Sequence, residues 1–279
     1  MPEGPEVTII ANGLNSLLKD RIILGFEFNT KSRYNKKAPD GFKEFMDTLK
    51  DGLVKITEVK NKGKFIYWRF SNGMILFQTL GLSGGWFHEE KKNSGCELFY
   101  RDNYEVKTLY YDDQRRFGTL KFVSDEKDLG RKLRELGPDI LNDTEFDLGD
   151  WIKIFKLKRN QNKILVKVIT DQKIISGIGN YLKSEILYEA KLSPHREIHT
   201  LTDKELARLY KSARYCINES YKHGGTSLQH YSDINSKEGT YGLELKVYRK
   251  KIDPQGNRIK PEKIGKDSQT TYWVPSVQK

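Results

Sequence analysis

The sequence is poor in cysteine and contains no long run of hydrophobic residues. Its 279 residues include only two cysteines, Cys96 and Cys216, which excludes a disulfide framework and a four-cysteine zinc site. No apolar segment reaches the length of a transmembrane helix, and the N-terminus lacks the features of a signal peptide. We therefore expect an intracellular protein that is not secreted and does not enter a membrane.

Positive charge is the main excess in the composition. Lysine and arginine number 49 against 38 aspartate and glutamate residues, so the net charge at pH 7 is +11. Such an excess favours a polyanionic partner, and nucleic acid fits better than a membrane because no basic amphipathic segment or lipidation signal accompanies it. Basicity that serves solubility alone is the alternative. The length predicts two domains.

The first seven residues, MPEGPEV, combine a nucleophile with two carboxyl groups. Removal of the initiator methionine leaves Pro2 with a free secondary amine, and an α-amino group has a pKa of about 8 against about 10.4 for lysine. The larger neutral fraction suits Schiff-base chemistry. Glu3 is a candidate general acid, and Glu6 adds a second carboxyl in the first turn of a helix that Pro5 opens. The alternative is an acidic turn that complements the helix dipole.

The two halves of the chain have different secondary-structure patterns. Short segments rich in β-branched and aromatic residues run from residue 20 to about 125, separated by glycine-containing turns, and predict a sandwich or a barrel. The second half is helical, and a capping box from Thr202 to Glu205 opens its longest helix. A last hairpin is expected, in which a strand over 243–250 and a turn from Asp253 to Gly256 lead to a strand over 270–274.

Two glycine-rich loops each carry an apolar side chain that no obvious core would bury. One loop contains Leu82, and the other places Phe117 close to Arg115. An apolar wedge, an arginine and an aromatic ring are what a protein needs to fill a gap in a base stack and to hydrogen-bond the estranged base. The alternative is that Leu82 and Phe117 anchor their loops in the core.

Two further positions have the chemistry of phosphate contacts. Lys64 follows a hairpin turn at residues 61–63, although most lysines of this kind only keep a turn soluble. Gly177 and Gly179 precede a helix and leave backbone N–H groups open at its N-terminus, to which Asn180 adds an amide. A helix-to-helix turn without a ligand is the alternative.

Taken in order along the chain, these residues resemble the formamidopyrimidine-DNA glycosylase and endonuclease VIII family, whose members excise oxidised bases from DNA. The shared motifs are PEGPEV at residues 2–7, LGLSG at 80–84, RRFG at 115–118, LGPD at 136–139, DQKIISGIGN at 171–180, GGTS at 224–227 and VYR at 247–249. The resemblance implies an α+β fold with DNA held between the domains. The implied parts are a two-layer β-sandwich domain with an N-terminal helix (1–128), a connector (129–148), a helix-two-turn-helix domain (149–240) and a zincless β-hairpin finger (241–279).

The resemblance also implies roles for individual residues. Pro2 attacks C1′ of the damaged nucleotide, Glu3 is the acid that helps open the sugar, and Glu6 belongs to the same catalytic group. Lys64 matches the lysine that contacts phosphate and assists β-elimination. The other matching positions are the gap-filling Leu82, Arg115 and Phe117 and the phosphate-binding Asn180 and Tyr248.

The C-terminal part departs from the pattern of most members. Where they carry two cysteine pairs that bind zinc, this chain has the turn from Asp253 to Gly256 and the tetrapeptide at 274–277. This resembles the zincless finger of endonuclease VIII-like members, so neither zinc nor another cofactor is expected. Gln269 stands where an arginine normally binds phosphate and assists δ-elimination, and Lys266 is a candidate substitute for that arginine.

The predicted function is that of a bifunctional DNA glycosylase and AP lyase of base excision repair. The enzyme is expected to remove oxidised bases through a Schiff base with Pro2 and to nick the strand by β-elimination or by β,δ-elimination. The alternative is a lesion-binding protein that no longer cleaves DNA, for which Gln269 is the supporting feature. The expected partner is damaged DNA, duplex or single-stranded, bound by a monomer. The preference between oxidised purines and pyrimidines stays open.

Overall fold

The structure is a computed structural model that describes residues 2–50, 52–226, 239–265 and 269–279. The chain forms two compact units. The first comprises Met1–Glu135 and Gly224–Thr240, and the second comprises Leu136–His223 and Tyr241–Lys279. Each unit is therefore built from two separate stretches of sequence. No helix within the described ranges is long and apolar enough to cross a membrane.

The first unit is built around two antiparallel sheets of four strands each. Its strands are β1 (Ile22–Phe28), β2 (Ile56–Lys62), β3 (Phe65–Phe70), β4 (Ile75–Thr79), β5 (Gly85–Phe87), β6 (Ser94–Asp102), β7 (Glu105–Asp112) and β8 (Thr119–Val123). One sheet has the order β1-β6-β7-β5 and the other β2-β3-β4-β8. Trp68 on β3 and Trp86 on β5 both donate their indole N–H to Gln78 Oε1, at 3.1 and 3.3 Å, which joins the sheets. The expected β-sandwich is confirmed.

The N-terminal helix α1 (Gly4–Leu18) packs into the core of this sandwich. Val7, Ile10 and Leu14 recur at helical spacing and are buried together with residues of the strands. Each such side chain stabilises the fold by roughly 1.5 to 3 kcal/mol through burial. The helix is therefore held firmly, and so is its first turn. The shorter helices α2 (Phe42–Lys50) and α3 (Glu126–Glu135) belong to the same unit.

The second unit contains four α-helices within the residues that the structure describes, followed by a hairpin. The elements are α4 (Leu148–Lys156), α5 (Leu165–Thr170), α6 (Asn180–Glu189), α7 (Asp203–Lys222), β9 (Lys260–Lys263) and β10 (Thr270–Trp273). The predicted capping box is present at the start of α7, where Thr202 Oγ1 accepts the N–H of Glu205 at 3.3 Å and a Glu205 carboxylate oxygen accepts the N–H of Thr202 at 2.8 Å. Helix α6 is buried over most of its length and is the central helix of the unit.

The strand predicted over 243–250 is wrong. This segment contains the 3₁₀ turn Tyr241–Leu243 and then continues without a strand. The carboxylate of the buried Glu185 accepts the backbone N–H groups of residues 246–248 at 2.8 to 3.0 Å. Because these donors are bound to a carboxylate, they are not available to a neighbouring strand. The strand β10 pairs instead with β9.

Candidate active site

The N-terminal residues predicted to react lie buried at the start of α1. Pro2 is buried, and Glu3 and Glu6 are each only 1% exposed. Glu3 directly precedes the helix, and its backbone N–H donates to Glu6 Oε2 at 2.8 Å. Glu6 therefore fixes the backbone of Glu3, and with it the position of the adjoining Pro2.

Lys64 is carried by the hairpin between β2 and β3. Gly63 takes a positive φ of 55°, which lets the chain reverse just before Lys64. The Asn61 amide donates to Thr8 Oγ1 on α1 at 2.9 Å and to the carbonyl oxygen of Gly63 at 3.1 Å. Asn61 thus ties the turn to the same helix that carries Glu6.

The charge on Lys64 is coupled to both carboxylates of the N-terminal turn. Its pKa is lowered because the surrounding protein displaces water, and the negative charges of Glu3 and Glu6 oppose this decrease. A lysine with a lowered pKa gives up its proton at a lower pH than an exposed lysine. The cluster therefore combines the Pro2 amine, two carboxyl groups and a lysine, which are the groups needed for nucleophilic attack, protonation and proton removal.

Thr226 joins this cluster, although its sequence motif alone indicates no role for it. Its backbone N–H donates to Glu6 Oε1 at 2.9 Å, and its hydroxyl lies 3.3 Å from the same oxygen. Gly224 and Gly225 precede it with φ angles of 72° and 83°. Consecutive positive φ angles favour glycine, so the glycine pair is the sequence signal that accompanies this contact.

The gap-filling candidates lie on two loops of the first unit that are bonded to each other. Ser83 Oγ donates to Asp113 Oδ1 at 2.8 Å, and the N–H of Gly118 donates to Asp113 Oδ2 at 2.7 Å. The candidates on these loops are the half-buried Leu82 and the exposed Arg115 and Phe117. With 58% of its surface exposed, Phe117 does not anchor its loop in the core.

In the second unit, Asn180 and Tyr248 lie in contact. Asn180 is the first residue of α6, and its Nδ2 donates to the Tyr248 hydroxyl at 3.3 Å. The Tyr248 ring packs edge-on against Tyr272 with centroids 5.2 Å apart. The turn before the helix contains Gly177 with a φ of 95°. The structure therefore brings together two of the residues predicted to contact phosphate, at the N-terminus of a helix.

Gln269 lies directly before β10 and is exposed. Its carbonyl oxygen is 3.5 Å from Nζ of Lys183, a lysine of α6 that is only 4% exposed. Lys266, the predicted substitute for the missing arginine, lies outside the described residues. Lys183, which no sequence motif indicates, is therefore the cation next to Gln269.

The C-terminal hairpin region is organised by an aspartate and a small apolar cluster. The N–H of Gly256 donates to the carbonyl oxygen of Asp253 at 3.1 Å, which confirms the predicted turn. The Asp253 carboxylate accepts the Tyr188 hydroxyl at 3.1 Å and the backbone N–H of Asn257 at 2.7 Å. The buried members of the cluster are Tyr188, Val247, Ile259 and Val274. Within the described ranges, no group of three or more His, Cys, Asp or Glu residues is placed to hold a metal ion.

Comparison with known proteins identifies the family. The N-terminal, H2TH and C-terminal domains of formamidopyrimidine-DNA glycosylase match residues 1–120, 136–232 and 232–279. Formamidopyrimidine-DNA glycosylase from Listeria monocytogenes serovar 1/2a is 30% identical over 289 residues, which cover 100% of both chains. The chain belongs to the formamidopyrimidine-DNA glycosylase family.

Solved structures of the formamidopyrimidine-DNA glycosylase family share this fold. The MutM (Fpg) protein from Thermus thermophilus has a TM-score of 0.81 at 26% identity, covering 99% of this chain and 98% of that one. The Lactococcus lactis Fpg in complex with DNA containing an abasic site has a TM-score of 0.83 at 23% identity, covering 99% of both chains. As a member of the formamidopyrimidine-DNA glycosylase family, the chain is a DNA glycosylase and AP lyase of base excision repair.

Proposed function

We propose that this enzyme removes oxidised bases by attack of the Pro2 amine on C1′ of the damaged nucleotide. The bond between C1′ and the base breaks, the base leaves with the bonding electrons, and the proton of the Pro2 amine passes to the departing base. Glu3 then protonates the ring oxygen as the bond between C1′ and O4′ breaks, and an iminium links Pro2 to C1′. The observation that carries this proposal is the burial of Glu3, 1% exposed, beside Pro2 and under a hydrogen bond to Glu6.

Strand cleavage follows from the same intermediate. The iminium accepts electrons, so the C2′ proton is removed, a double bond forms, and the 3′ phosphate leaves by β-elimination. We assign Lys64 to this step because Asn61 ties its turn to α1 and its charge is coupled to Glu3 and Glu6. The ammonium form contacts phosphate, and the lowered pKa makes the neutral amine more available for proton transfer. Gln269 carries no charge, so we propose β-elimination as the main cleavage reaction.

The remaining candidate residues are proposed to hold the DNA. Leu82, Arg115 and Phe117 fill the space left by the extruded nucleotide, and the exposure of Phe117 supports this assignment. Asn180 and Tyr248 contact a backbone phosphate, which is supported by their mutual hydrogen bond at the start of α6. The substrate is damaged DNA, duplex or single-stranded, bound by a monomer.

We further propose that the C-terminal finger is of the zincless, endonuclease VIII-like type. The Asp253 turn stands where most members have the first cysteine pair, and its carboxylate binds two backbone N–H groups and the Tyr188 hydroxyl. Val274 begins the frame of the second pair and is buried in the apolar cluster. Hydrogen bonds and packing of this kind supply cross-links that a metal otherwise provides.

Borohydride trapping on an oligonucleotide with an abasic site tests the catalytic proposal. Protein from which removal of Met1 has been verified by mass spectrometry is expected to form a covalent complex with the DNA. Pro2→Gly is expected to lose the complex, whereas Pro275→Gly, at an exposed proline, is expected to keep it. Failure of correctly processed wild-type protein to form the complex, with DNA binding intact, would support the alternative of a lesion-binding protein.

A further inference from the structure

A polar pocket of about 260 Å³ lies in the second unit, between α5, α6 and the C-terminal hairpin. Its wall includes Lys167 and Thr170 on α5, Lys183 on α6, and Gln269 and Thr271 at the start of β10. At roughly 30 Å³ per water molecule, the pocket has room for a phosphate group together with water. The polar side chains of its wall can all donate hydrogen bonds, and two of them are cations, while Val166 and Ile264 complete the wall.

Two of these polar side chains are buried. Lys183 is 4% exposed and Thr271 is 1% exposed. Thr271 Oγ1 has no hydrogen-bond partner among the residues that the structure describes. Buried hydroxyl groups are normally satisfied. An anion in this pocket would accept a hydrogen bond from Thr271 and would lie beside the two lysines of the wall.

The hairpin leaves space for the second lysine. A Cβ atom at Gly265 would lie 2.9 Å from Cε and 3.3 Å from Nζ of Lys167, and the φ of Gly265 is 72°. Glycine at this position therefore allows the Lys167 side chain to lie against the hairpin. Lys183 approaches from the other helix, with Nζ 3.5 Å from the carbonyl oxygen of Gln269. Both lysines thus line the same pocket, and the uncharged Gln269 lines it on the side of the hairpin.

We propose that this pocket binds a phosphate group of the DNA backbone through Lys167, Lys183 and the Thr271 hydroxyl. The inference rests on the proposed function and extends it, because it assigns the positive charge that Gln269 lacks to two helices of the second unit. The lysines compensate the charge of the phosphate, and Thr271 donates a hydrogen bond to one of its oxygens. Inorganic phosphate has the same chemistry, so the test must separate the two sources.

The salt dependence of DNA binding tests the role of Lys183. Affinity for a duplex with a tetrahydrofuran abasic-site analogue is measured over a range of salt concentrations for wild type, Lys183→Met and Lys211→Met. Each neutralised phosphate contributes about 0.9 to the slope of log K against log salt concentration. Lys167 retains part of the charge at this phosphate, so Lys183→Met is expected to reduce the slope by a fraction of about 0.9. Lys211→Met removes an equal charge from an exposed site on α7 and is expected to keep the wild-type slope. A wild-type slope in Lys183→Met would overturn the proposal.

Thr271 offers a second test that does not change the net charge. Thr271→Val keeps the shape of the side chain but removes the hydroxyl, and is expected to lower DNA affinity about tenfold without changing the salt slope. Thr271→Ser retains the hydroxyl and is expected to bind like wild type. Melting temperatures of all variants establish that they are folded. Equal affinities of folded Thr271→Val and wild type would contradict the assignment of Thr271.

Inorganic phosphate and borohydride trapping separate the remaining explanations. If inorganic phosphate at constant ionic strength raises the melting temperature of wild type but not of Lys183→Met, while both bind DNA with one slope, the pocket takes free phosphate and the proposal is wrong. If the slopes differ as expected, the DNA backbone is the ligand. Borohydride trapping is measured independently of DNA binding. If the wild-type protein forms no covalent complex, the catalytic proposal is wrong, but the proposed phosphate site is unaffected.

Discussion

Glu6 and Thr226 are 220 residues apart in sequence, and a carboxylate oxygen of Glu6 accepts the backbone N–H of Thr226 at 2.9 Å. The other oxygen accepts the backbone N–H of Glu3 at 2.8 Å. One buried side chain therefore fixes both the backbone of Glu3 and that of Thr226. Because Glu6 is 1% exposed, water does not substitute readily for either hydrogen bond.

The first prediction concerns this double contact. We expect Glu6→Gln to lower kcat/KM for base excision by about 10- to 100-fold, because a hydrogen bond to a charged group contributes about 1.5 to 3 kcal/mol. Trapping on a preformed abasic site should fall less, since no base has to be released. Single-turnover excision measures the effect, with Glu44→Gln on the exposed face of α2 as the control. If Glu6→Gln excised the base at the wild-type rate, Glu6 would have no role in catalysis.

The second prediction concerns the pH dependence of cleavage. Burial lowers the pKa of Lys64 below the ordinary value of 10.5, so its positive charge is lost at a lower pH than that of an exposed lysine. A step that needs this charge therefore declines as pH rises through the lowered pKa. In Lys64→Arg the positive charge persists to higher pH. We therefore expect the basic limb of the pH–rate profile for β-elimination to move to higher pH. Lys62→Arg, on the same hairpin, should leave the limb in place. An unmoved limb in Lys64→Arg would show that the charge is not required.

The third prediction concerns the aromatic side chain of the gap-filling loops. Stacking of a base on an aromatic ring contributes about 1 to 3 kcal/mol, so Phe117→Ala should weaken binding to an abasic-site duplex by about tenfold or more. The melting temperature should stay unchanged because Phe117 is 58% exposed. Tyr104→Ala, at a fully exposed aromatic between β6 and β7, is the matched control. Equal losses of affinity in the two variants would indicate a general surface effect.

The fourth prediction concerns the second elimination. Gln269→Arg adds a charged donor beside the polar pocket, and we expect it to raise the fraction of 3′-phosphate ends relative to 3′-aldehyde ends. Product ends are resolved on a denaturing gel after reaction with abasic-site DNA. Gln269→Leu has a similar size without charge and should give the wild-type ratio. A wild type that already produces mainly 3′-phosphate would mean that another cation performs this step.

The fifth prediction concerns the finger. A chelator such as 1,10-phenanthroline should change neither the melting temperature nor the excision rate. Asp253→Ala, by contrast, should lower the free energy of unfolding by about 1 to 3 kcal/mol, because it leaves buried hydrogen-bond donors without an acceptor. Urea denaturation measures this loss, with the exposed Glu145→Ala as the control. A chelator-induced fall in melting temperature would show that the finger holds a metal.

The local spacing of apolar residues predicted much of the fold. The elements that it did not predict were missed for physical reasons. Strand β3 follows the alternation of buried and half-buried residues that sequence periodicity detects. Strand β5 has only 3 residues, all buried, and is too short for an alternating pattern. Helix α2 places Phe42, Phe45, Met46 and Leu49 at helical spacing against the core, but it has only 9 residues and lies among the strands of the first unit. The segment 243–250 has a strand-like sequence, but the distant Glu185 carboxylate binds its backbone N–H groups.

The candidate site likewise contains residues that the sequence predicted and residues that only the folded structure shows. Pro2, Glu3 and Glu6 are neighbours in the chain, so their chemistry could be read from one short motif. The contact of Thr226 with Glu6 and the approach of Lys183 to Gln269 depend on tertiary folding. No local pattern distinguishes Lys183 from the other lysines of the chain, because only its burial gives it significance.

The hydrogen bond between Ser83 and Asp113 has a consequence for how the enzyme searches DNA. It makes a single assembled body of the two loops that carry Leu82 and Phe117. Tyr111 packs so closely behind them that a Cβ at Gly118 would lie 2.1 Å from its hydroxyl oxygen. A probe that is assembled before contact loses little conformational entropy when it enters the base stack. In the proposed gap-filling role, entry into the stack would then be limited by the opening of the base pair, and a weakened pair would open first.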